Sequence, residues 1–174
     1  MKDLEALIRN VPDFPKKGIG FKDITTLLKD GPALRQAVQQ MYEPFKDDGV
    51  QKIAGIESRG FILGGAMAYE LGLGFVPFRK PGKLPADTLS ESYELEYGTD
   101  SIEMHVDAVQ KGEKVLIVDD LLATGGTAAA ACRLIDRIGG SVVGVSFLIE
   151  LSFLKGREKL PGRKINVLID YDSE

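Results

Sequence analysis

An α/β fold with a mostly parallel central sheet flanked by helices is what this sequence predicts, and three observations carry it. Val115-Leu116-Ile117-Val118 is an unbroken aliphatic run, the pattern of a strand buried on both faces. Short apolar strands alternate with helical segments along most of the chain, which implies βαβ units with right-handed crossovers. Glycines stand where helices must stop, with Gly72 after Leu71 and Gly139-Gly140 after Ile138.

In chain order, Leu4, Leu7 and Ile8 are spaced for a helix over residues 3–10, which Pro12 and Pro15 would end. Residues 16–24 read as a glycine-rich irregular stretch. Asp30-Gly31-Pro32 predicts a helix start, with the helix running to about Phe45 and Pro44 disturbing its end. A strand over 52–56, a turn at Glu57-Ser58-Arg59-Gly60, an apolar helix over 61–71 and a strand over 75–78 follow. Residues 81–92 are polar, with two prolines and a glycine, and read as a loop. Residues 93–97 and 101–106 read as a hairpin around Gly98-Thr99-Asp100. Beyond the strand at Val115, a helix is expected over 127–138 and buried strands over 142–148 and 165–169.

The 174 residues suit a single domain, and no repeat or linker divides them. With 22 basic and 26 acidic side chains and no basic run, the chain is a poor polynucleotide binder. A single cysteine, Cys132, excludes an internal disulfide and fits a reducing compartment. Lying mid-helix among alanines, it reads as a buried small hydrophobe. His105, the one histidine, makes neither a triad nor, with Cys132, a metal site. Met1-Lys2-Asp3-Leu4-Glu5 lacks the apolar core of a signal peptide, and no apolar run approaches the ~20 residues of a membrane span. The expectation is a cytoplasmic protein with no membrane and no nucleic-acid partner.

The most informative stretch runs from Val115 through Asp119-Asp120-Leu121-Leu122 to Ala123-Thr124-Gly125-Gly126-Thr127. A strand ends in two carboxylates, a small-residue loop follows, and a helix begins. In open parallel sheets ligands sit at the carboxyl ends of strands. A helix starting there points unpaired backbone N–H groups and the positive end of its dipole at the site. The glycines let the backbone approach closely, and Thr124 and Thr127 add hydroxyl donors. Ala123 to Thr127 is therefore a phosphate cradle. Two adjacent acids repel a bare phosphate but suit neutral hydroxyls, a bound cation or an oxocarbenium-like centre, and a phosphorylated sugar satisfies both halves. A Walker loop is excluded because no Gly-Lys-Ser/Thr follows, and the dinucleotide fingerprint is absent.

Residues 118–127, Val-Asp-Asp-Leu-Leu-Ala-Thr-Gly-Gly-Thr, resemble the signature of the type I phosphoribosyltransferases, which bind phosphoribosyl pyrophosphate (PRPP). The form taken here is most similar to that of the adenine-using members. The resemblance extends to Pro12-Asp13-Phe14-Pro15, Gly18 through Asp23, Ser58-Arg59-Gly60-Phe61, Arg79 through Pro85, Leu95-Glu96-Tyr97-Gly98 and Lys155-Gly156-Arg157-Glu158, covering nearly the whole chain in order.

That resemblance implies a base-binding hood formed by about 1–30 with the C-terminal segment, and a flap over about 84–106. It implies transfer of ribose 5-phosphate from PRPP to adenine, giving AMP and pyrophosphate, in a homodimer with Mg²⁺ held through substrate oxygens rather than by direct protein ligands. Glu57, Ser58, Arg59, Arg79, Lys80 and Lys83 would meet pyrophosphate, with a non-proline cis peptide at Glu57-Ser58. Gly20, Phe21, Lys22 and Leu151 would enclose adenine. Asp119 and Asp120 would hold the ribose hydroxyls, Glu96 would act as general acid or base at the purine, and Tyr97 would help close the flap. Two positions depart from the family's usual residues: Glu57 stands where Asp is common, and Lys22 where Arg is common. Two other activities fit the same loop: transfer to a different base, and PRPP sensing by a regulator without catalysis.

Overall fold

A computed structural model describes residues 1–95 and 98–173. Its centre is a five-stranded sheet in the order β4-β3-β7-β8-β9, with every neighbouring pair parallel. The strands are β3 (Lys52–Ile56), β4 (Gly74–Phe78), β7 (Lys114–Leu122), β8 (Ser141–Leu151) and β9 (Ile165–Tyr171). Pro77, which lacks an N–H, sits in β4, an edge strand of this sheet, where a ladder donor is least needed. β7 stands in the middle, and Val115, Leu116, Ile117 and Val118 are fully buried there, as their run predicts.

Helices cover both faces. Ahead of β3, α1 (Thr25–Leu28) and α2 (Gly31–Tyr42) pack with α3 (Arg59–Leu71) over one apolar cluster containing Leu27, Met41, Phe45, Leu63 and Leu148. α4 (Gly126–Arg137) covers the other face together with the hairpin β5 (Thr88–Glu94) and β6 (Thr99–His105), over Phe78, Ile102, Ile117, Leu134 and Phe147. Each such side chain contributes about 1.5–3 kcal/mol of burial. Cys132 is buried in this second cluster, and burial pushes its thiol up to about 11.

The helix boundaries follow local chemistry. The Asp30 carboxylate accepts from the Ala33 N–H at 3.0 Å, and Pro32 lies in the first turn of α2. α4 closes with Gly140 N–H on Ile135 O and Gly139 N–H on Asp136 O, both 3.0 Å, with Gly139 at φ +84°.

Four local expectations are corrected. Residues 3–10 form one 3₁₀ turn, Glu5–Leu7, and then the strand β1 (Arg9–Val11). Residues 16–24 are not wholly irregular, because β2 (Phe21–Asp23) pairs antiparallel with β1. Tertiary pairing outweighs the weak helical spacing of three apolar residues. Residues 88–92 belong to β5 rather than to a loop, and Glu94 pairs with Thr99, so Thr99 and Asp100 lie in β6. There Tyr93, Ile102 and Met104 point into the core while Glu91 meets Arg133 and Arg137 of α4. Finally, β7 continues past Val118 to Leu122, because β8 is long enough to pair with it as far as Glu150.

Candidate active site

The carboxyl ends of β3, β4 and β7 open into a cleft of about 320 Å³. β3 delivers Glu57, Ser58 and Arg59, β4 delivers Lys80, β7 delivers Asp119 and Asp120, and α4 delivers Thr127. Tyr93 and Ile102 of the hairpin form a wall. A hollow of about 80 Å³ adjoins it, lined by Asp119 and by residues 121–125 with Thr127 and Ala128. Residues from four separate stretches of sequence thus share one space. A cavity of about 500 Å³ elsewhere, near Glu150 and Asp170, holds none of the residues predicted for the site.

The loop predicted to cradle phosphate joins β7 to α4. Gly125 sits at φ +78° as the residue before α4, its carbonyl accepts from Ala129 N–H at 3.0 Å, and no side chain caps the helix start. The first-turn amides are thus not already spent on a side-chain acceptor, which suits an anion. Ala123, Thr124 and Thr127 line the small hollow beside Gly125. Gly126 backs onto Tyr93, which leaves 3.2 Å between a built Cβ and Cδ2 of that ring.

The acid pair occupies the floor. Asp120 is 6% exposed and accepts from Arg59 Nε at 2.5 Å. Asp119 accepts from the Asp120 N–H at 2.9 Å and lies under Gly60, where a methyl would sit 2.8 Å from its Oδ1. Burial, then the charge of Asp120, push the Asp119 carboxyl well above the ordinary carboxylate range.

Of the predicted cations, Arg59 and Lys80 line the cleft and Arg79 joins it through Glu57; each of these three already faces a carboxylate. Arg59 meets Asp120, Arg79 donates from Nε to Glu57 Oε2 at 2.7 Å, and Lys80 meets Asp100 and the Tyr93 hydroxyl. Burial works to raise the Glu57 pKa, but Arg79 and the Lys80 N–H outweigh it and hold the carboxyl low. Lys83 follows on an exposed turn, its carbonyl 3.5 Å from Arg79 Nη1. The Glu57-Ser58 peptide is cis.

The base-side residues do not line the cleft themselves; Phe21 reaches it through Arg59, and Lys22 and Leu151 are joined through Tyr171. The Phe21 ring lies 5.2 Å from the Arg59 guanidinium and edge-on to Phe14 at 5.1 Å. Lys22 Nζ stands 4.2 Å over the ring of Tyr171, which is the ladder partner of Leu151 at the ends of β9 and β8. Gly20 immediately precedes β2, and Phe21 and Lys22 are strand-paired rather than fully free as expected. Glu96 and Tyr97 lie outside the described residues.

Sequence reasoning missed Tyr171, Tyr93 and Asp100. An aromatic closing the last strand was the available signal for Tyr171. The other two became site residues only when β5 and β6 folded back over α4.

The family description "Phosphoribosyl transferase domain" matches residues 24–169. An adenine phosphoribosyltransferase of Clostridium perfringens is 57% identical over 97% of this chain and 98% of its own. The chain belongs to the adenine phosphoribosyltransferase family. The crystal structure of the family member from Rhodothermus marinus superposes with a TM-score of 0.93 at 56% identity, covering 97% of this chain and 96% of that one. The family member from Giardia lamblia, solved in complex with 9-deazaadenine, gives 0.91 at 40% identity over 98% and 97%. The family's α/β fold, with a parallel sheet flanked by helices, is the one found here. At the two positions where a departure from the family's residues is expected, Glu57 reaches Arg79 and Lys22 is placed over Tyr171.

Proposed function

We propose that this protein transfers the 5-phosphoribosyl group of PRPP to adenine, releasing pyrophosphate and forming AMP for purine salvage. The observation that carries it is the junction of an anion-ready helix start, an acid pair and a cationic rim in one cleft. The relatives named for this reaction, and the neighbour holding an adenine analogue, support the choice of base.

Ala123 to Thr127 take the 5′-phosphate. Asp119 and Asp120 accept from the ribose hydroxyls and favour positive charge on the ring as pyrophosphate departs. Arg59, Arg79, Lys80 and Lys83, with the backbone of Glu57 and Ser58, neutralise the leaving group. Adenine lies between Phe21 and Leu151, with Gly20 and Lys22 at its edges. Glu96 moves the proton at the purine, and Tyr97 and the hairpin exclude water that would otherwise attack the activated sugar.

Mg²⁺ fits this site as a cation carried on PRPP oxygens: Asp120 and Glu57 are already engaged by Arg59 and Arg79, and hard oxygen donors come from substrate and water. When bound, it offsets charge on the pyrophosphate. The exposed strip Ile62, Tyr69 (90% exposed) and Phe75 on α3 and β4 supports pairing of two copies. No helix among the described residues is long and apolar enough to cross a membrane, and the reading places the enzyme in the cytoplasm.

The test is release of pyrophosphate from PRPP and Mg²⁺ across adenine, hypoxanthine, guanine, xanthine and orotate. Release with adenine alone is expected. Equal rates with hypoxanthine would overturn the base assignment, and PRPP binding without release for any base would make the protein a sensor.

A further inference from the structure

Glu150 is the next-to-last residue of β8 and lies directly opposite Leu122 of β7, the residue before the phosphate loop. It is 2% exposed, and a buried carboxylate is costly unless paired. Arg157 pairs it, with Nε 2.9 and 2.8 Å from the two carboxylate oxygens and Nη2 2.7 Å from Oε2. Between them the chain makes a 3₁₀ turn, Ser152–Leu154, and Lys155 takes a left-handed φ of +56°. The residue this arc delivers is Gly156, which is buried. A methyl on Gly156 would lie 2.3 Å from the Ala123 carbonyl and 3.1 Å from Gly125 N, and one on Gly125 would lie 2.2 Å from Gly156 O. The two backbones are in direct contact, so the position of Gly156 sets how far the loop can retreat.

We propose that Glu150 and Arg157 are positioning residues: their ion pair clamps Gly156 behind Ala123 and Gly125 and thereby fixes the shape of the site for the 5′-phosphate. The proposal rests on the reading of residues 123–127 as that site. Neither side chain lines the cleft, so both act through the backbone of Gly156. A pair that only satisfied a buried charge would lower stability and leave the two substrates equally affected.

The E150Q/R157M double variant removes the pair without stranding a charge. Its KM for PRPP should rise at least about tenfold, and ribose 5-phosphate affinity by calorimetry should fall in proportion, because small misplacements of a binding loop are amplified. Its KM for adenine should stay within about twofold. R157K keeps the charge but loses the planar grip, and should fall between wild type and the double variant. A folded double variant with wild-type affinity for ribose 5-phosphate, or with equal losses for both substrates, overturns the proposal. If the double variant does not fold, R157K decides: an unchanged KM for PRPP overturns it. Failure of the wild type itself to bind ribose 5-phosphate would instead sink the phosphate-loop reading.

Discussion

Arg59 donates from Nε to Asp120 across 61 positions of sequence, joining the start of α3 to the end of β7. The same guanidinium lies against Phe21, so one side chain assigned to the leaving group touches residues assigned to the base and to the sugar. Replacing it with Met leaves Asp120 enclosed and unpaired. The Arg59 side chain is 36% exposed, so solvent screening brings the buried-pair cost down to roughly 1–2 kcal/mol. Urea unfolding should report that loss, and R59M should also weaken pyrophosphate binding. An unchanged urea midpoint would remove the ion pair from the stability account.

Asp119 gives a pH signature. Its folded pKa is raised by burial and by Asp120, so the native state keeps its proton at pH values where the unfolded chain has lost it. Stability therefore falls as pH rises from 3.8 through that raised value. Asp119→Asn should abolish this fall and make the protein more resistant to urea at neutral pH, while turnover drops by about 10²-fold or more. A variant less stable than wild type at neutral pH would contradict the raised pKa.

The acid limb has the opposite sign. Asp23 is lowered to about 2, first by the Thr25 N–H and then by Arg9. The Arg133 bond lowers Glu91, and the Lys80 bond lowers Asp100. These groups add stability above their unfolded values, and it is lost as pH falls through the folded ones. Unfolding midpoints should decline from about pH 4.5 toward about 2. Asp23→Asn should flatten the part below 3.8, and an unaltered decline would deny Asp23 its share.

Gly125 carries a steric prediction. At φ +78° and with the Gly156 carbonyl 2.2 Å from a built Cβ, Gly125→Ala is strained both in its own backbone and against its neighbour. The left-handed conformation alone costs about 1–2 kcal/mol for alanine. KM for PRPP should rise more than tenfold on the order expected for a displaced loop. Normal PRPP kinetics in the variant would show that the close contact is not required.

Phe21→Ala should act on the base alone. KM for adenine should rise about tenfold as the stacking surface is lost, with KM for PRPP little changed. Parallel increases in both would show that Phe21 serves Arg59 rather than the base.

Much of this was legible beforehand. Aliphatic runs placed the parallel strands, and Gly72 and Gly139 marked where helices end. Segments 16–24 and 81–92 hide their strands from a local reading because β2 has only three residues and β5 is mostly polar. Such segments become strands only by pairing, β2 with β1 and β5 with β6, and a local pattern carries no record of the partner.

By itself the sequence determined the α/β class and the glycine loop at Ala123 to Thr127 with the acids at its foot, because each depends on neighbours a few positions away. Only the tertiary structure decided which carboxylate faces which cation: Asp120 with Arg59, Glu57 with Arg79, Asp100 with Lys80, Glu150 with Arg157. It also decided that Gly156 backs the loop. Electrostatic and steric partners are chosen by distance in space, and chain folding sets that distance independently of separation in sequence.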